Sequence, residues 1–229
     1  MLASDFISRY TKGKHHVKEE AIVMHLTFQK EFSGDLNELP VREVPGAVQF
    51  REFGDMQKLS LYANLLALVI MIPLLIPVGI QFVRRLDDIV VFGLWQVILL
   101  LFLLIITIPV HELLHASCFK GDVYFYTYLK KGLAFVTGTE SMTKGRFIFM
   151  SLLPNLVLGL LPYLLYLIFP GQFWLGLFGA CNIASGAGDY INVWNAATQM
   201  PKGSLCFMSG MHTYWYLPEN VPDETEEQE

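Results

Sequence analysis

Three side chains in one pentapeptide, His111-Glu112-Leu113-Leu114-His115, have the types and the spacing to do chemistry. On a helix, residues four apart share a face about one turn apart, so the two imidazoles can offer nitrogen ligands to one metal ion, with zinc the natural occupant. Glu112 lies beside them. Its carboxylate can take a proton from a water that the metal activates, which is the division of labour of a zinc peptidase. Chance occurrence is the competing explanation, and it favours solvated surface. Here the pentad closes a stretch, residues 89–110, that contains no charged residue. Ionisable groups at the end of such a stretch are costly enough to imply a function.

Two histidines are one ligand short of a catalytic zinc site, which takes three protein ligands and keeps a fourth position for water. Asp189 is the only charged residue within the last long apolar stretch, 173–197, and a lone carboxylate there needs a cation. It is the expected third ligand. Glu140, which is 25 residues past His115, and His212 are the alternatives. Asn182, Ser185 and Asp189 are spaced i, i+3 and i+7, so one helix face is expected to carry all three toward His111 and His115. Asn182 and Asn155 are candidates to hold a substrate carbonyl or a developing oxyanion, helix-to-helix hydrogen bonding being their plainer role. Cys118, three residues beyond His115, is expected to be a small packing residue.

The elements that must position these groups are mostly membrane helices. Of 229 residues, 53% are hydrophobic and only 16% charged, well below the quarter usual in soluble domains. The expected fold is mainly α: a polytopic helical bundle with spans at about 61–83, 89–117, 147–169 and 173–197, each long enough for a hydrocarbon core of ~30 Å. Pro73, Pro77 and Pro109 are expected to bend the first two. Residues 122–137 alternate in the manner of a β-hairpin, with Lys130-Lys131-Gly132 as its turn and tyrosines suited to the membrane interface. Ile22 to Phe28 alternates like a single strand.

The chain is expected to divide into an N-terminal segment, 1–58, a membrane metallopeptidase domain, 59–200, and a tail, 201–229, expected to be acidic and disordered at its end. Residues 1–58 lack the apolar core of a signal peptide, and His15, His16, Glu19 and Glu20 among them are expected to form a solvated face. Five of the last eight residues are acidic and supply much of the net charge of −5, which offers nothing to nucleic acid. Cys118, Cys181 and Cys206 form no CxxC pair or even framework, so reduced thiols are expected. Four spans put both termini on one side. That side has eight flanking lysines and arginines against two at Arg84 and Arg85, so the termini are expected in the cytosol, with the lipid bilayer and a membrane protein or peptide substrate as partners.

The sequence His111-Glu112-Leu113-Leu114-His115-Ala116 late in an apolar helix, followed two spans later by Asn182 and then Gly188-Asp189, resembles a bacterial multi-pass family of zincin-type peptidases. It is similar, more distantly, to the site-2 protease clan of intramembrane metalloproteases. The resemblance covers roughly residues 60–200. In that clan the third ligand is an aspartate in an Asn-x-x-Pro-x-x-x-Leu-Asp-Gly context, to which Asp189 corresponds by role. Here Asn182 is seven rather than eight residues ahead, no proline intervenes and glycine precedes the aspartate. The clan also presents substrate on a membrane-associated hairpin, which implies such a purpose for 122–137. The expected activity is a zinc-dependent endopeptidase acting on membrane or membrane-proximal segments; the alternative is a non-catalytic metal-binding membrane protein or pseudoprotease scaffold.

Overall fold

The computed structural model describes residues 24–52, 56–84 and 94–218. The His15/His16/Glu19/Glu20 group, Ile22, the turn at 85–88, the first residues of the span from 89 and the acidic tail 222–229 lie outside the described residues. In chain order the elements are β1 (His25–Phe28), β2 (Val48–Gln49), α1 (Met56–Arg84), α2 (Leu94–Ala116), β3 (Asp122–Tyr128), β4 (Leu133–Thr137), β5 (Met142–Thr143), α3 (Lys144–Pro154), a π-helical stretch (Asn155–Leu160), α4 (Leu161–Ile168), α5 (Phe173–Ser185), α6 (Ala187–Gln199), β6 (Leu205–Ser209) and β7 (His212–Tyr216).

The fold is mainly helical, as expected, and three helices are long and apolar enough to cross a membrane: Lys58–Arg84, Val97–Ala116 and Lys144–Ile168. Both α1 and α2 run unbroken through their prolines. Their outer faces stay apolar and exposed, with Leu65, Ile72 and Ile76 on α1 and Leu101, Phe102 and Ile105 on α2. Such faces suit a hydrocarbon solvent. Inside, Val78 of α1 packs with Tyr163, Tyr166 and Ala180, fastening α1 and α4 to α5.

The expected fourth span, 173–197, is not one helix. It divides at Gly186 into α5 and α6, of 13 residues each. At the division the Asn155 side chain of the π-helical stretch packs against Gly186: a Cβ there would lie 1.7 Å from Asn155 Oδ1, so glycine leaves room for that carboxamide. The three residues of the expected polar stripe still turn toward the His111/His115 helix, but from two helices instead of one. Asn182 and Ser185 belong to α5, whereas Asp189 starts a new helix, in the first turn of α6.

The hairpin forms as expected, with β3 and β4 antiparallel and Phe125 opposite Val136. Gly132 turns the corner at φ +64°, a conformation open to glycine. β1 adds in parallel on the other side of β3, leaving β4 as an edge strand. A second sheet, in the order β2-β7-β6-β5, was not expected, and it gives residues 205–216 of the tail a regular structure. Phe119, Val123, Phe147, Met150 and Cys206 pack between the sheets and the ends of α2 and α3. The sheets thus gather the segment before α1, the α2–α3 connection and the segment after α6 at one end of the helices.

Candidate metal centre

α2 delivers the pentad in its last two turns, and α6 delivers Asp189. His111 Nε2 lies 3.1 Å from Asp189 Oδ2, His115 Nε2 lies 3.2 Å from Oδ1, and the two Nε2 atoms are 3.1 Å apart. All three ligand atoms fall within 4.8 Å of one another. Two observations test whether a metal fits. His115 Nδ1 is 2.8 Å from the Met150 carbonyl, which can only accept, so Nδ1 carries the proton and the neutral form of the ring has its lone pair on Nε2, the tautomer a metal ligand needs. Both Nε2 atoms converge on the Asp189 carboxylate at 3.1–3.2 Å, which gives an ion a donor set of two imidazoles and one carboxylate. The triangle also has the right size, because ligands ~2.0–2.2 Å from a tetrahedral ion are ~3.4 Å apart. The residues fit zinc.

Around this triangle the chain supplies support. Asn155 is 4% exposed, and its Nδ2 donates to Asp189 Oδ2 at 2.8 Å. Its Oδ1, over Gly186, is buried with no hydrogen-bond partner among the described residues. An unpaired buried acceptor costs ~1–3 kcal/mol, which the bond to Asp189 and the fit over Gly186 offset. Asn155 opens the π-helical stretch, and such local widening is frequent at functional sites. The positive end of α6 adds its dipole to the field at Asp189.

Glu112 Oε2 accepts from the Val136 amide of β4 at 3.0 Å. Since that N–H points away from β3, the outer edge of β4 faces the pentad. A cavity of about 280 Å³ opens there, lined by His111, Glu112, Leu133, Ala134, Cys181 and Asn182 among others. Asn182 lines this cavity, while its Nδ2 donates to the Phe178 carbonyl within its own helix at 2.9 Å.

The alternatives to Asp189 are engaged elsewhere. Burial pushes the Glu140 carboxyl up, but the Arg146 guanidinium and the amides of Lys120 and Gly121 outweigh this and hold it below the usual carboxylate range. Its Oε1 pairs with Arg146 at 2.5 Å, and Arg146 in turn donates to the Cys118 carbonyl. Glu140 therefore fastens the end of α2 to the start of α3. His212 sits in β7 against Glu52 at 3.2 Å. Of the six site residues expected from sequence, His111, Glu112, His115 and Asp189 come together, Asn182 walls the cavity, and Asn155 contacts Asp189. The supports from Met150 and Val136 act through backbone atoms, so no residue type could have signalled them.

No curated protein and no solved structure matches the chain. Residues 104–205, just under half of the chain, which hold the pentad, Asn155, Asn182 and Asp189, match the family described as "Putative zincin peptidase".

Proposed function

We propose that the chain is a zinc-dependent membrane endopeptidase that hydrolyses peptide bonds in or beside the membrane-spanning segments of other proteins. The observation that carries this reading is the triangle of His111, His115 and Asp189 with Glu112 beside it, at the end of an apolar helix. The family match supports zinc-peptidase chemistry in general. When bound, zinc supplies Lewis acidity, bringing the pKa of a water toward ~7 and polarising a carbonyl.

His111, His115 and Asp189 would hold the ion, and Asn155 and the Met150 carbonyl orient two of these ligands. Glu112 is the general base. It removes a proton from the attacking water and returns it to the leaving amine. A helical substrate hides its carbonyls and must be drawn out before it can be cut. The outer edge of β4, which pairs with no further strand among the described residues, offers the means beside the Val136–Glu112 bond, because an extended peptide can add to it as a strand. The Ala134 amide points the same way as that of Val136, two residues along the strand. Asn182 offers the cavity a carboxamide for the substrate backbone. The eight-to-two bias of basic residues supports a cytosolic location for the sheet end and the termini.

The test compares Glu112→Gln and Asp189→Ala with the unsubstituted protein in zinc content and in cleavage of a membrane-peptide reporter. Glu112→Gln is expected to keep its zinc and lose at least ~100-fold in rate, the usual worth of a general base. Asp189→Ala is expected to lose the zinc. Undiminished cleavage by Glu112→Gln with zinc bound would favour a metal-binding protein whose hydrolysis lies elsewhere.

A further inference from the structure

β4 borders two cavities. Leu133 and Ala134 line the one that holds His111 and Glu112; Phe135, Val136 and Thr137 line a second, of about 360 Å³. Val136 connects them, since its amide bonds Glu112. A peptide laid along all five residues of β4, ~16 Å of extended chain, passes Glu112 and reaches both cavities. We propose that the second cavity is a subsite for a lysine or arginine side chain of the substrate. This rests on the peptidase reading above.

The walls of the second cavity are of two kinds. Phe135, Ile191, Met208 and Met211 are apolar, while Glu52, His212 and Asn192 are polar. Glu52 is held in place: Oε1 accepts from the Thr213 amide and Oε2 faces His212 Nδ1, both at 3.2 Å, leaving the side chain 18% exposed. The Asn192 carboxamide makes no hydrogen bond among the described residues. Arg51 lines an adjoining cavity that shares Glu52, Ile191 and Asn195 with this one, and it is absent from the lining of the second cavity itself. A long apolar stem ending in a cation satisfies both kinds of wall, with the stem along Phe135 and the methionines and the head at Glu52 and Asn192. A wholly apolar side chain leaves those polar groups desolvated without a new partner. An acidic one meets the Glu52 carboxylate. Spans are flanked by lysine and arginine chiefly on the cytosolic side, so such a subsite lets the enzyme choose a span by its flank.

The test uses the full chain carrying Glu112→Gln, with zinc, in lipid vesicles. The probes are leucine/alanine host spans in which one lysine is walked along the flank, each paired with a norleucine counterpart. In at least one register lysine is expected to bind ~10-fold tighter than norleucine, the worth of one hydrogen bond to a charged group. Adding Glu52→Gln is expected to bring the two within about twofold, with binding of the norleucine peptide serving as the check on folding. Should that variant not fold, Asn192→Leu takes its place and must reduce the preference. Equal binding in every register overturns the proposal, as does a preference that survives Glu52→Gln. Cleavage of the same peptides by the unsubstituted protein separates the two readings. Cleavage without a lysine preference removes the subsite and leaves the peptidase; a lysine preference in binding without any cleavage removes the peptidase and leaves a peptide-binding cavity. If no peptide binds and none is cut, both fail.

Discussion

Asn155 is the residue whose setting says most about the centre. Its carboxamide gives one hydrogen to Asp189 Oδ2 and leaves its own oxygen buried with no partner among the described residues, an arrangement that makes sense when holding the carboxylate in one orientation matters more than full satisfaction. His115 is oriented in the same manner by the Met150 carbonyl. Partners at this remove from a metal typically account for 10–100-fold in affinity. Asn155→Ala is therefore expected to weaken zinc binding by about that factor while leaving all three ligands in place, measured by competition with a chromogenic chelator. Zinc affinity equal to that of the unsubstituted protein would mean that Asn155 serves packing alone.

Among the elements, the junction of α5 and α6 decides the site. A continuous helix over 173–197 would project Asp189 wherever the 3.6-residue period sent it; the division at Gly186 frees that direction, and the missing side chain there leaves room for the Asn155 carboxamide. In Gly186→Ala the added methyl would stand 1.7 Å from Asn155 Oδ1, so the carboxamide must swing off Asp189. We expect a destabilisation of ~1–3 kcal/mol, the usual cost of overpacking, together with weaker zinc binding. Both effects should be largely absent when Gly186→Ala is made in an Asn155→Ala background, because residues in contact are not additive. Melting curves and zinc titrations of the four proteins check this. Additive losses would place the strain elsewhere.

At the scale of the molecule, the sheets tie three distant parts of the chain to one end of the helices. Val41 and Leu129 are both exposed there, on either side of α1 and α2 in sequence, whereas Arg84 ends α1 at the other pole. With the helices spanning a bilayer, Val41→Cys and Leu129→Cys are expected to react with a membrane-impermeant maleimide only after right-side-out cells are opened, and Arg84→Cys before. Labelling of Val41→Cys and Leu129→Cys from opposite sides would rule out this orientation. The same end carries both cavities, so the proposed cleavage site and the proposed subsite share one surface.

The sequence by itself determined whatever depends on local pattern: the apolar lengths of three helices, the hairpin with its glycine turn, and the two imidazoles one helical turn apart with Glu112 between them. It singled out Asp189 as well, because a lone charge in an apolar stretch is conspicuous without any coordinates. The tertiary structure alone decided what depends on contacts between distant segments. It drew Glu140 to Arg146 and His212 to Glu52, divided the last span at Gly186, turned Asn155 onto Asp189, and folded 205–216 into a sheet with residues from the N-terminal segment. The reason is common to all of these. Hydropathy and periodicity record what one segment requires of its solvent, whereas a hydrogen bond from Asn155 to Asp189 or from Val136 to Glu112 depends on where another segment happens to pack.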